Sequence, residues 1–147
     1  MPSVEATSEA LEQLVKKIPS DQPFYMVNLV AYNEVAQYQD NQGQGNLDQD
    51  HKTNITGQEA YKSYSKEAAK LVEKAGGQVI WFGEVIHGVI QPSDESWDNI
   101  FIVQYPSVAK FMAMITSPEY LSIVQHRTAA LADSRLIATL TTSGGNR

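Results

Sequence analysis

His126 and Arg127 stand side by side in a stretch that is otherwise rich in apolar residues, from Tyr120 and Leu121 through Val124 to Leu131. A charge taken out of water is expensive unless a partner or a ligand meets it. An arginine on such an element therefore marks a place where something else is expected. Its planar fork of donors suits a carboxylate, and its long stem can lie against apolar neighbours. His126, or Glu84 if the fold buries it, is the group expected to move a proton. Asn28 lies in the middle of an apolar run, where a buried amide needs partners for its donors and its acceptor. Tyr64 carries a hydroxyl with the same need, and Trp81 offers an apolar wall. The expected pocket is thus Asn28, Tyr64, Trp81 and Arg127 for binding, with Glu84 and His126 as candidate catalytic groups. Each has a structural alternative. Asn28 can anchor a neighbouring element, Arg127 can bridge to Glu84 or Asp133, and Tyr61, Tyr64, Trp81 and Trp97 can be ordinary core.

Other chemistries lack support. There is no cysteine, which removes disulfides, thiolate zinc sites and cysteine nucleophiles. Asp48, Asp50 and His51 are able to ligate a metal, but they lie in a glutamine-rich segment without a ligand pattern, and no metal is expected. No glycine-rich phosphate loop, dinucleotide fingerprint or nucleophile elbow occurs, so no cofactor is expected. A net charge of -6 argues against a nucleic-acid partner, which requires clustered cations. Lys62, Lys66, Lys70 and Lys74 are spaced by four but interleave with Glu59, Glu67 and Glu73, as on a solvated helix face. No run reaches the roughly 18 apolar residues of a membrane span. Residues 1–19 read as an amphipathic helix rather than a signal peptide, with Leu11, Leu14, Val15 and Ile18 on its apolar side. The chain is read as cytoplasmic.

These residues must be positioned by regular elements. Phe24 to Tyr32 is apolar except at Asn28, the pattern of a strand buried on both faces. A polar segment, 33–56, follows; connections of that length are usually functional. Thr56-Gly57-Gln58-Glu59 is a capping box opening a helix that runs to about Ala75, with Gly76-Gly77 as its stop. Tyr61, Tyr64, Ala68, Leu71 and Val72 share one side of it. Gln78 to Val89 and Trp97 to Tyr105 read as antiparallel strands joined by the Pro92–Ser96 turn. Ser107 caps a helix through Phe111 and Ile115, and Ser117-Pro118 restarts it to about Ala132. A helical wheel over that last segment puts Arg127 near Tyr120 and His126 on nearly the opposite side. Arg135 to Thr141 closes as a strand.

The order is that of a ferredoxin-like βαββαβ unit preceded by a helical arm, an α+β fold. The expected divisions are an arm, 1–22, a ferredoxin-like domain, 23–142, and a tail, 143–147. Two helices cover one face of four strands, yet the first three strands are apolar on both. A second copy of the chain is the expected cover, giving a homodimer with a barrel-like common core.

Met26-Val27-Asn28-Leu29, Gly57-Gln58-Glu59-Ala60-Tyr61 with Tyr64, Ala75-Gly76-Gly77 with Trp81 and Gly83, Trp97-Asp98, Tyr105-Pro106-Ser107, Phe111 with Met114, Pro118-Glu119-Tyr120 and His126 to Leu131 together resemble a bacterial domain-of-unknown-function family, number 1330. It belongs with the dimeric α/β-barrel proteins. The resemblance covers Met26 to Leu29 and Gly57 to Thr139. It implies a ferredoxin-like protomer, a homodimer and a cavity between sheet and helices. Relatives across the superfamily include cofactor-independent enzymes acting on small organic acids and aromatics. The leading expectation is a small-molecule-binding protein that is a cofactor-independent enzyme acting on a small organic acid or aromatic metabolite in a pocket between sheet and helices; the alternative is a non-catalytic, ligand-sequestering or structural homodimer. Members tend to carry arginines where this chain has Ala31, Gln58 and Phe82, so a less anionic ligand is implied here.

Overall fold

The computed structural model of the protein describes residues 3–38 and 55–142. Four strands, β1 (Phe24–Tyr32), β2 (Gln78–Glu84), β3 (Asn99–Tyr105) and β4 (Leu131–Thr139), form one antiparallel sheet in the order β2-β3-β1-β4. The helices are α1 (Ser8–Lys17), α2 (Gly57–Lys74), α3 (Val108–Ile115), α4 (Pro118–Leu121) and α5 (Val124–Ala130). Without α1 this is the expected ferredoxin-like βαββαβ order.

Local chemistry sets the helix starts. The Glu59 amide donates to Thr56 Oγ1 at 3.0 Å and the Thr56 amide to Glu59 Oε1 at 2.9 Å, so the capping box of α2 is complete. Thr7, Ser107 and Ser117 accept in the same way at the starts of α1, α3 and α4. At the end of α2, Gly76 takes a φ of 85°, a conformation that only glycine adopts without strain. The apolar side of α2 buries Ala60, Tyr61 and Ala68, and its lysines are exposed.

Strand alternation divides β1 between two faces. Phe24, Met26 and Val30 point to the helices and are buried, whereas Tyr25, Val27 and Leu29 point to the open face and are half-buried. The buried core lies in two parts. One gathers Ile18, Phe24, Met26, Val103, Tyr105, Val108, Phe111 and Met114. The other gathers Val30, Ala36, Ala60, Tyr61, Ala129, Ala130 and Leu131. Asn28 sits on β1 between Met26 of the first part and Val30 of the second.

Three expectations need correction. The second strand stops at Glu84 rather than Val89, and the third starts at Asn99 rather than Trp97. The last ladder pair is Glu84 with Asn99, and beyond it the chain between them is an excursion closed by the Val85 amide donating to Asp98 O at 3.0 Å. The helix expected from Pro118 to Ala132 breaks at Ser122-Ile123. There Ser122 Oγ donates to Glu119 O at 2.7 Å and Ile123 N to Tyr120 O at 3.0 Å, tightening the turn and ending α4. The fourth strand accordingly begins at Leu131 instead of Arg135. In this single chain β2 is exposed along nearly its whole length.

Candidate functional site

The gap between the two core parts opens into a cavity of about 810 Å³ under the N-terminal arm. Asn28 and Met26 of β1 and Ser134, Leu136 and Ala138 of β4 form its floor. Tyr64 of α2, Phe111 and Met114 of α3, Tyr120 and Leu121 of α4 and Arg127 of α5 form one wall. Residues Ser3 to Ile18, which include α1, form the roof. Leu121 and Leu136, 61% and 41% exposed, both line this space, so apolar surface stands uncovered inside the protomer.

Three of the sequence-predicted binding residues meet here: Asn28, Tyr64 and Arg127. Trp81 does not. It pairs with Ile102, and Ile102 pairs with Val27, which places Trp81 on the open face of the sheet, opposite to Asn28. A bulge between Val79 and Trp81 sets that face, and no sequence pattern announced it. Trp97 is buried elsewhere, beneath the Arg135 guanidinium at 5.0 Å.

The two candidate proton movers are also outside the cavity. Glu84 is exposed at the end of β2 and lacks the burial required of it. His126 is half-buried, its Nδ1 2.7 Å from Tyr38 Oη and its ring edge-on to that tyrosine, and it does not line the cavity. The helical wheel anticipated its divergence from Arg127. Asp48, Asp50 and His51 lie outside the described residues, among which no cluster suited to a metal occurs.

Arg127 is one of three cations that line the cavity, with Lys17 and Arg135. Its Nη1 donates to the Val4 carbonyl at 2.5 Å, and it also faces the Tyr61 hydroxyl. Among the described residues it makes no ion pair. Asp133, one carboxylate expected for it, accepts instead from Arg135 Nη1 at 2.6 Å, and Glu95 takes the other arm of Arg135 at 3.2 Å. Among the described residues no carboxylate therefore serves as the bidentate partner that a guanidinium suits.

A ladder of tyrosines leads into the site. Ring centroids of Tyr32 and Tyr61, Tyr61 and Tyr64, and Tyr64 and Tyr120 lie 5.5, 5.3 and 6.1 Å apart. The Tyr64 and Tyr120 hydroxyls share a hydrogen bond of 2.8 Å. Burial pushes Tyr64 well above the usual phenol value, its neighbours Tyr120 and Tyr61 add to this, and Arg127 opposes it. Burial does the same to Tyr61, again against the pull of Arg127, and it carries Tyr32 to about 12, with help from Asp98. Tyr32, Tyr61 and Tyr64 are consequently neutral at physiological pH. These three donate hydrogen bonds and do not abstract protons. Asn28 Nδ2 donates to Met26 O at 3.2 Å, the one hydrogen bond of its side chain among the described residues, and the residue lines the cavity.

Tyr120 and the arm were the residues that sequence reasoning left out of the site. Tyr120 was detectable, since the wheel set it beside Arg127. The arm was not, because Arg127 grips it through a backbone carbonyl that every residue type carries.

The same overall structure occurs in RPA0582 of Rhodopseudomonas palustris, a protein of unknown function, 37% identical with a TM-score of 0.80 over 94% of this chain and 95% of that one. Hydroxynitrile lyase from Passiflora edulis, 11% identical with a TM-score of 0.53 over 84% and 96%, shares the fold. So does a dabb family protein with a ferredoxin-like fold from Mesorhizobium loti, 10% identical with a TM-score of 0.51 over 82% and 98%. Among curated proteins none matches the chain. The model of the domain of unknown function DUF1330 matches residues 51–140, and the chain belongs to that family.

Proposed function

We propose that this protein binds a small organic acid in the cavity between sheet, helices and N-terminal arm. The observation that carries the reading is Arg127, half-buried and facing only neutral partners among the described residues, at the end of an otherwise largely apolar space. Asn28, Tyr64 and Tyr120 offer directional hydrogen bonds nearby, the usual composition of a ligand pocket. A thermal-shift screen of small acids and aromatics tests it. A specific hit is expected, and Arg127→Ala is expected to abolish its stabilising effect. Unchanged ligand affinity in a destabilised Arg127→Ala protein would assign the arginine a structural role only.

Binding without turnover fits the lining better than catalysis, because neither Glu84 nor His126 reaches the cavity. The enzymatic reading, a cofactor-independent reaction on an acid or aromatic substrate, is favoured by one feature. The Tyr64–Tyr120 pair can donate a hydrogen bond to a developing oxyanion. Conversion of the screened hit to product would establish it.

The protein also acts as a homodimer in this proposal, joined through the open face of the sheet. Val27, Leu29, Ile100, Ile102 and Trp81 share that face by register, and Trp81 is 54% exposed in the single chain. Apolar patches of this kind mark interaction surfaces, and a two-fold axis lets one patch cover itself. No helix among the described residues is long and apolar enough to cross a membrane. The cytoplasmic placement belongs to this proposal too.

A further inference from the structure

The cavity has a direction. Its hydrogen-bonded polar groups gather where the arm begins: Ser134 Oγ donates to Ser3 O at 2.7 Å, Arg127 donates to Val4 O, and Thr128 Oγ1 donates to Glu5 Oε2 at 3.2 Å, whereas Gln13 and Lys17, which line the other end, are exposed. From there the arm follows β4 toward the first core part, where Leu11 and Leu14 pack and Ile18 is buried. Between these ends the lining is Met26, Phe111, Met114, Ile115, Leu136 and Ala138. Helix α1 alone, with 10 residues, spans about 15 Å at the helical rise. Yet it buries none of its own side chains, so the arm roofs the space without filling it.

We propose that the ligand is an amphipathic monocarboxylate, a medium-chain aliphatic acid. This rests on the reading of the cavity as an acid-binding site and adds the body of the ligand to its head. The carboxylate takes the Arg127 fork from the Val4 carbonyl, since a charged acceptor binds a guanidinium more strongly than a neutral one. The chain lies along the apolar floor beneath Leu11 and Leu14 and covers Leu136, which the protein itself leaves exposed. Arg127 thereby has two alternative acceptors. One closes the empty arm onto α5, and the other anchors the ligand under it. Of the other charged groups in the lining, Arg135 is paired with Asp133 and Glu95, Glu5 accepts from Thr128, and Lys17 is exposed to solvent at the far end of the arm.

Isothermal titration of the full chain with decanoate at submicellar concentration, with decanol and with acetate tests this. Decanoate is expected to bind at least about tenfold more tightly than decanol, which lacks the charge, and than acetate, which lacks the body. Arg127→Gln is expected to bring decanoate down to the affinity of decanol. Leu14→Glu, on the roof, is expected to weaken decanoate and leave short acids unaffected, and it decides the matter if the Arg127 variant fails to fold. Short or aromatic acids binding as tightly as decanoate, or decanol matching it, would overturn the proposal while leaving the acid-binding site standing. Failure of every acid to bind would remove both.

Discussion

At the scale of single residues, Arg127 shows why chemistry cannot be assigned from residue type alone. Two carboxylates were available to it in principle, and the register of β4 gave one of them, Asp133, to Arg135. Asp133 has a measurable role of its own. Burial pushes its carboxyl up, but donors from the Ser3 amide, Arg135 and the Ser134 amide outweigh this and hold it below its ordinary value of 3.8. A lowered folded value stabilises above the unfolded value and ceases to do so as pH falls through the folded one. Thermal melts from pH 5 down to 2.5 are therefore expected to lose stability below about 4, more steeply in the natural protein than in Asp133→Asn. A second residue-scale test is Gly57. A Cβ there would meet Asn33 O, Ala130 O and Asn33 N, all backbone atoms that cannot move aside. Gly57→Ala is expected to destabilise by about 1–3 kcal/mol in urea titration. Tyr64→Phe keeps the ring in the ladder and removes the hydroxyl bond to Tyr120. It is expected to cost ligand affinity about fivefold with little change in melting temperature, read by calorimetry.

At the scale of elements, boundaries followed local signals wherever a side chain bonds its own backbone. The α2 capping box is of this kind, and Thr56→Ala is expected to cost about 1 kcal/mol, measurable by chemical denaturation. The signals failed where tertiary contacts overrode periodicity. Apolar residues continue past Glu84 as Val85, Ile86, Val89 and Ile90, but β3 offers them no partner, and the last three stand 84–94% exposed. Likewise the apolar arc from Tyr120 to Leu131 looks continuous on a wheel. The chain instead breaks at Ser122-Ile123, then turns sharply so that Asn33 can receive Ala130, its amide donating to Ala130 O at 2.8 Å. That clamp, extended by Asn33 Nδ2 to Ala129 O at 3.0 Å, fixes the end of α5 and thus the aim of Arg127.

At the scale of the whole molecule, the sheet has two unlike faces. One is packed by helices in two core parts with a cavity between them. The other shows apolar side chains to solvent, Trp81 of β2 among them at 54% exposure. If the open face joins two protomers, sedimentation at micromolar concentration gives a dimer. Trp81→Asp, which disturbs little in a chain where Trp81 is exposed, shifts it to monomer without loss of helical signal. A monomer in the unmodified protein would rule the dimer out.

Sequence by itself determined the order of elements, the caps, the covered side of α2 and the family, because these depend on periodicity and on bonds between residues a few positions apart. It also separated Arg127 from His126, since their angle on a helix follows from geometry alone. Only the tertiary structure decided that Trp81 leaves the site, that Glu84 and His126 stay out of it and that the arm roofs it. The first depends on a bulge that reverses which face a strand residue takes. The others depend on contacts between segments far apart in the chain, made through backbone carbonyls and shared surfaces that no residue type encodes.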